Sequence, residues 1–232
     1  MIGHFQTYFD HRRPRFDPVV CVNALSLFYT YGRGHELQRT LEWVQEVLLN
    51  RAYLEGTRYY ESAECFLYFV SRLLASTGDP DLHVMLKPLL RDRVQERIGA
   101  DGDALALAMR ILACDFVGVR NEIDLRALLP LQCEDGGWEI GYIYKYGSSG
   151  IRIGNRGLAT ALAIKAIESM WLPIHRFRDS SPSPTLVGQR LPPKHQTECV
   201  PVTPRHHRRR SSLKDSLQRF WHGGIFRKAA EI

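Results

Sequence analysis

Residues 128–167 read LLPLQCEDGGWEIGYIYKYGSSGIRIGNRGLATALAIKAI. The run leaves a helical pattern and crosses a glycine-rich turn ending in Trp138. It then passes through a basic, hydroxyl-bearing loop and enters a helix apolar on almost every side. Glycine is costly inside both helices and strands, so its density marks sharp turns or close backbone approach. Lys145, Arg152 and Arg156 share the loop with Ser148 and Ser149, and the loop ends at a helix N-terminus. Free N–H groups there favour an anion. The competing reading is a long connection stabilised by turns and packed beneath Trp138.

Working outward from this passage, the pattern is helical. Asp17-Pro18 is a helix start, with an acid at the cap and proline at the first position. VVCVNALSLFYTY follows and stops at Gly32-Arg33-Gly34. A one-sided helix spans about 35–53, with Leu37, Leu41, Val44 and Leu48 at helical spacing. A third, AECFLYFVSRLLA, is again apolar nearly all round. The fourth covers about 80–98, with Asp79 as its cap and Pro88 expected to kink or restart it. A fifth enters through DGDALALAMRILACDF, a short sixth covers about 122–129, and the seventh covers about 155–167.

The apolar helices begin near residues 17, 61, 103 and 155, and one-sided helices separate them. A repeat of helix pairs, inner then outer, is the expectation, with no β-rich interruption. Two all-α architectures fit: a partial α/α toroid of about seven helices, alternating inner and outer, or a solenoid of similar period. The apolar inner helices favour the toroid.

Residues 1–170 carry 19 Lys/Arg against 21 Asp/Glu, whereas residues 171–232 carry 12 against 4. The basic character thus belongs to the tail, which argues against a nucleic-acid-binding core. The expected organisation is an N-terminal segment (1–16), a helical domain (17–171) and a disordered basic tail (172–232). The tail holds a short amphipathic helix candidate at 212–222 that offers weak contact with an anionic membrane. Ser212 follows Arg209-Arg210 and matches a basophilic kinase site. No apolar run reaches the length of a bilayer span. Five cysteines without a C-x-x-C pair read as free thiols in a reducing, cytoplasmic setting, with no metal site.

Gln132, Gly136 and Trp138 form Q-x-x-x-G-x-W, with Leu128 four positions before the glutamine. This resembles the QW motif of terpenoid cyclases, which share the α/α toroid with protein prenyltransferases. In that family the glutamine helps close a helix end and the tryptophan stacks beside it, so the motif implies a structural role. RPRFDPVVCVN, GTRYYESAECFLYF, ERIGADGDALALAMR and the stretch 129–158 look like the C-terminal part of fungal proteins that fuse a haloacid-dehalogenase-like domain to a terpene-cyclase-like domain. The resemblance covers roughly residues 5–170. It implies relatives that cyclise farnesyl diphosphate by protonation and remove phosphate with the other domain.

The Asp-x-Asp that the phosphatase domain needs near its N-terminus, on a strand of an α/β fold, has no counterpart in this sequence, and the D-x-D-T-T acid motif is also missing. The chain therefore reads as a fragment or shortened product. It is expected to be inactive alone and to act as a cyclase only when completed by an upstream domain. Asp101 and Asp103 are the candidate acids, although Ala104-Leu105 stands where hydroxyl partners would be, and a cap pair for the fifth helix is the plain alternative. Tyr59, Tyr60, Phe66 and Phe69 are candidate cavity-lining aromatics, or simply core. Lys145, Ser148, Ser149, Arg152 and Arg156 are candidates for holding an isoprenoid diphosphate, and magnesium would enter only with that diphosphate. A helical-repeat binding scaffold with a phosphorylatable basic tail is the alternative function. A toroid glycosidase would need paired carboxylates on a polar groove, which helices this apolar do not supply.

Overall fold

The computed structural model describes residues 5–7, 12, 15–146 and 149–171. Ser148, Ser212, Cys199, the 172–232 tail with its 212–222 helix, and most of the N-terminal segment lie outside the described residues. All described residues belong to one compact unit, Met1–Asp179.

Seven α-helices carry the described part of the chain: α1 (Pro18–Thr30), α2 (Gln38–Leu49), α3 (Ala63–Ala75), α4 (Pro80–Arg97), α5 (Ala104–Phe116), α6 (Glu122–Leu128) and α7 (Arg156–Trp171). Local chemistry sets most of the starts. The Asp17 carboxylate accepts from the N–H groups of Val19 (2.9 Å) and Val20 (3.2 Å). Asp79 accepts from Leu82, Asp103 from Ala106, Asn121 from Asp124 and Asn155 from Leu158. Each satisfies an amide that the helix itself leaves unpaired.

Helix extents differ from the sequence expectation in places, and α7 runs on to Trp171 rather than ending near residue 167. The second helix is shorter, because a 3-10 turn at Gly34–Leu37 precedes it and turns follow Leu49. Pro88 neither stops nor restarts α4. Pro88 and Val84, whose carbonyl it leaves without an intrahelical donor, are both on the exposed side of the helix, so water can take over.

The odd-numbered helices pack in a row, α1 on α3, α3 on α5 and α5 on α7. The even-numbered helices form a second layer, α2 on α1, α4 on α3 and α6 on α5. Inner and outer helices thus alternate along an all-α frame. Ten of the thirteen residues of α5 and nine of α3 are buried, giving a core that runs from Leu25 through Phe66 and Leu73 to Met109 and Ile111.

The last inner helix departs from expectation. Only Ala159, Leu162, Ala163, Ala166 and Met170 of α7 are buried, a single stripe facing α5 and α6. Ile164 and Trp171 lie on the exposed side.

A second departure is the loop itself. Residues expected to be irregular form an antiparallel hairpin, β1 (Tyr142–Tyr146) with β2 (Ile151–Gly154). Tyr144 also bridges to Tyr60, and the Lys145 N–H donates to the Tyr59 carbonyl at 2.8 Å. The hairpin is thereby stitched to the segment leading into α3. Its base sits so close to α5 that a Cβ on Gly141 would lie 2.2 Å from that of Leu105.

Candidate functional site

The glycine-rich turn is a clasp between α6 and α7. The Trp138 indole is 1% exposed and donates to the Leu128 carbonyl at the end of α6 (3.1 Å). Its backbone N–H donates to the Thr160 hydroxyl on α7 (3.1 Å). The Gln132 side chain closes the turn from within, donating to the Gly136 carbonyl at 2.9 Å, and Gly136 takes a φ of +83° that favours glycine. The helix-end carbonyl is thus satisfied by Trp138 rather than by Gln132.

Arg156 completes the clasp, donating to both carboxylate oxygens of Asp135 at 2.7 and 2.5 Å. The guanidinium, with help from the Gly137 N–H, holds the Asp135 carboxyl down at about 2.

Of the five residues proposed for a diphosphate, the four described ones are divided. Arg156 is committed to Asp135. Ser149 donates its hydroxyl to the Tyr146 carbonyl, stabilising the hairpin turn. Lys145 and Arg152 are directly opposite one another across the hairpin and share one of its faces. The Arg152 guanidinium lies over the Tyr142 ring at 4.3 Å, and its Nε is 3.5 Å from Glu61.

Strand alternation turns Tyr144 and Ile153 to the other face. There Tyr144 stacks on Tyr59 at 5.8 Å and meets Tyr60 edge-on at 6.0 Å, and Tyr60 in turn meets Phe69. Tyr59 and Tyr60 are buried, and burial raises the Tyr60 phenol. Phe66 belongs elsewhere, fully buried against Tyr53 at 5.0 Å. Cations and aromatics thus meet at one hairpin but from opposite sides of it.

Asp101 and Asp103 are both exposed, and Asp103 is the α5 cap. No dry surroundings enclose either carboxyl. Among the described residues no group of His, Cys, Asp and Glu is placed to hold a metal ion, and no helix is long and apolar enough to cross a membrane.

A buried polar network was not anticipated. Arg110 in α5 is 1% exposed, and its Nε lies 3.0 Å from Asp124 of α6, itself 1% exposed. Its two terminal nitrogens donate to the carbonyls of Arg97 and Ala100. Asp124 also accepts from Gly99 N–H (3.0 Å) and from the Asn121 side chain (2.5 Å). Buried Glu64 of α3 accepts twice from Arg97, at 3.0 and 2.8 Å. The network ties α3, α4, α5 and α6 together and fixes the segment just before Asp101. A lone arginine in ALALAMRILACDF is the only sequence signal for it. Its partners are 13 and 14 residues away for Arg97 and Asp124, and 46 for Glu64, too far to be read locally.

The model of the sesquiterpene cyclase astC-like C-terminal domain matches residues 2–31. A drimenol cyclase, drtB of Aspergillus calidoustus, is 52% identical over 165 residues, which is 71% of this chain and 31% of that protein. The chain thus spans less than a third of the length of the curated relative it matches. No solved structure matches the chain. The two matches support a terpene cyclase-like C-terminal domain of the kind found in fungal proteins.

Proposed function

From this kinship with fungal terpene cyclase-like C-terminal domains, we propose that the chain contributes the apolar helical half of a catalyst that cyclises an isoprenoid diphosphate. The observation that carries the reading is the 52% identity to a drimenol cyclase along 165 residues. The all-α inner row is read as part of an α/α toroid, and the Gln132–Trp138 clasp as a QW motif holding an outer helix to an inner one. Acid-initiated cyclisation needs a carboxylic acid kept neutral in a dry pocket. Asp101 and Asp103 are exposed, so the acid is assigned to a segment outside this chain, together with a haloacid-dehalogenase-like phosphatase. The Lys145–Arg152 rung is the place where this chain would meet the diphosphate, with magnesium entering only as part of that substrate.

The test is product formation from farnesyl diphosphate by the chain alone and by the chain joined to the upstream portion of a relative. Product only from the joined protein is expected. Product from the chain alone, abolished by Asp103→Asn, would overturn the assignment of the acid. No product from either would remove the cyclase reading.

The stacking of helix pairs α1/α2, α3/α4 and α5/α6 favours a second reading, a helical-repeat scaffold. Saturable binding of a protein partner together with no turnover in the joined protein would support it.

A further inference from the structure

On the reading that the Lys145–Arg152 rung meets the diphosphate, we propose that Glu61 is the magnesium ligand beside it. This face of the hairpin then takes a diphosphate as its magnesium complex and discriminates against the bare anion. Segment 59–61 lies alongside β1: Tyr60 bridges to Tyr144, and the Tyr59 carbonyl accepts from the Lys145 N–H at 2.8 Å. Glu61 follows, on the face that carries Lys145 and Arg152. Arg152 crosses the Tyr142 ring (4.3 Å) and brings its Nε to 3.5 Å from Glu61 Oε1, too long for a good charge-assisted hydrogen bond. Glu61 Oε2 is shielded from water and has no hydrogen-bond partner among the described residues. The carboxylate is thus short of positive partners at both oxygens.

A carboxylate is the wrong neighbour for a bare diphosphate. Any phosphate oxygen that Arg152 takes comes close to Glu61 and is repelled by it. A dication between the two reverses the sign of that contact. Magnesium is commonly held by one or two carboxylates together with phosphate oxygens and water, in place of a cage supplied by the protein. The chain fits this pattern, since among the described residues no group of three His, Cys, Asp or Glu is placed to hold a metal by itself. The diphosphate brings the remaining ligands. The balance of charge points the same way. Lys145 and Arg152 stand against Glu61, a small positive excess that an ionised diphosphate overshoots and its magnesium complex comes near to matching. The Glu61 side chain is 32% exposed and that of Arg152 50%, so both are open to a ligand arriving from solvent. A purely structural pair would have closed to hydrogen-bond distance, as Arg156 does on Asp135 at 2.5 Å.

The test is isothermal titration of the full chain with sodium pyrophosphate, with and without magnesium chloride, using magnesium chloride alone as the blank. The basic run in 171–232 supplies an anion-binding background common to every variant, so the quantity read is the ratio of the two pyrophosphate affinities. Magnesium is expected to tighten pyrophosphate binding to the wild type about tenfold. Glu61→Gln should bring that ratio down to about one, and Glu61→Asp should keep part of it. Lys145→Gln with Arg152→Gln should weaken pyrophosphate in both conditions. Thermal unfolding reports whether each variant is folded. A Glu61 that only positioned Arg152 would shift both affinities together, so a wild-type ratio in Glu61→Gln overturns the assignment of Glu61. The diphosphate reading itself still stands in that case, provided the Lys145 and Arg152 double variant weakens binding. Pyrophosphate binding untouched by the double variant would remove the diphosphate reading of the rung, and the role of Glu61 with it.

Discussion

The side chains that cost most to disturb are polar groups inside an apolar frame. Arg110 faces Asp124 and Glu64 with almost no solvent access. Removing one partner from such a group leaves a buried charge without compensation. Arg110→Met is expected to destabilise the fold by about 3–5 kcal/mol in denaturant titration. Combining it with Asp124→Asn should cost clearly less than the sum of the two single changes. Additive losses would mean that the two charges do not act on one another. Tyr53 gives the opposite case. Its hydroxyl is buried with no hydrogen-bond partner among the described residues, and burial pushes its phenol up to about 12. Tyr53→Phe keeps the stack on Phe66 and removes a group that folding strips of water. Stability unchanged or raised by about 1 kcal/mol is expected, and a loss beyond that would show that a water holds the hydroxyl.

Among the elements, the clasp and the hairpin carry the distinctive shape of the chain. Trp138→Phe keeps most of the buried ring but leaves the Leu128 carbonyl without its donor. A loss of about 1–3 kcal/mol is expected in thermal or chemical unfolding. The Asp135–Arg156 pair adds a pH signature. The Asp135 carboxyl titrates near 2 in the fold against an ordinary 3.8, so its contribution is whole above the ordinary value. It fades as pH falls from there through about 2. Asp135→Asn should flatten the acid limb of the melting-temperature profile in that window, and an unchanged limb would exclude the pair as its source. Helix starts were legible because aspartate or asparagine two to three residues before the amides it serves is local chemistry, as at Asp17, Asp79 and Asp103. The hairpin was less legible. Alternation is present in Tyr142–Tyr146 and Ile151–Gly154, but the six glycines from 136 to 154 made the passage read as a loop. What holds it as a ribbon is remote: Tyr59 and Tyr60 pair with β1, and Leu105 sets the approach at Gly141. The placing of the diphosphate candidates was illegible for the same reason, since strand alternation and the Asp135 contact decide where Lys145, Arg152 and Arg156 stand.

On the scale of the whole molecule, the row α1–α3–α5–α7 is unevenly covered. α5 has an inner helix on each flank and α4 and α6 outside it, whereas α7 packs chiefly on α5, with a smaller contact to α6. An apolar composition alone made these two helices look alike; only the packing separates them. Truncating a buried side chain costs transfer energy and leaves a cavity, while an exposed one costs little. Leu107→Ala in α5, at a site 5% exposed, is expected to lose about 2–5 kcal/mol, and Ile164→Ala in α7, at a site 45% exposed, less than 1 kcal/mol. The same asymmetry sets how the fold opens. Amides of α3 and α5 should exchange with solvent deuterium only through global unfolding, whereas those of α7 should exchange through a cheaper, separate opening. Exchange in α7 as slow as in α5, together with a large loss from Ile164→Ala, would mean that the outward stripe of α7 is covered in solution. The row of inner helices would then continue beyond α7 in the functional molecule.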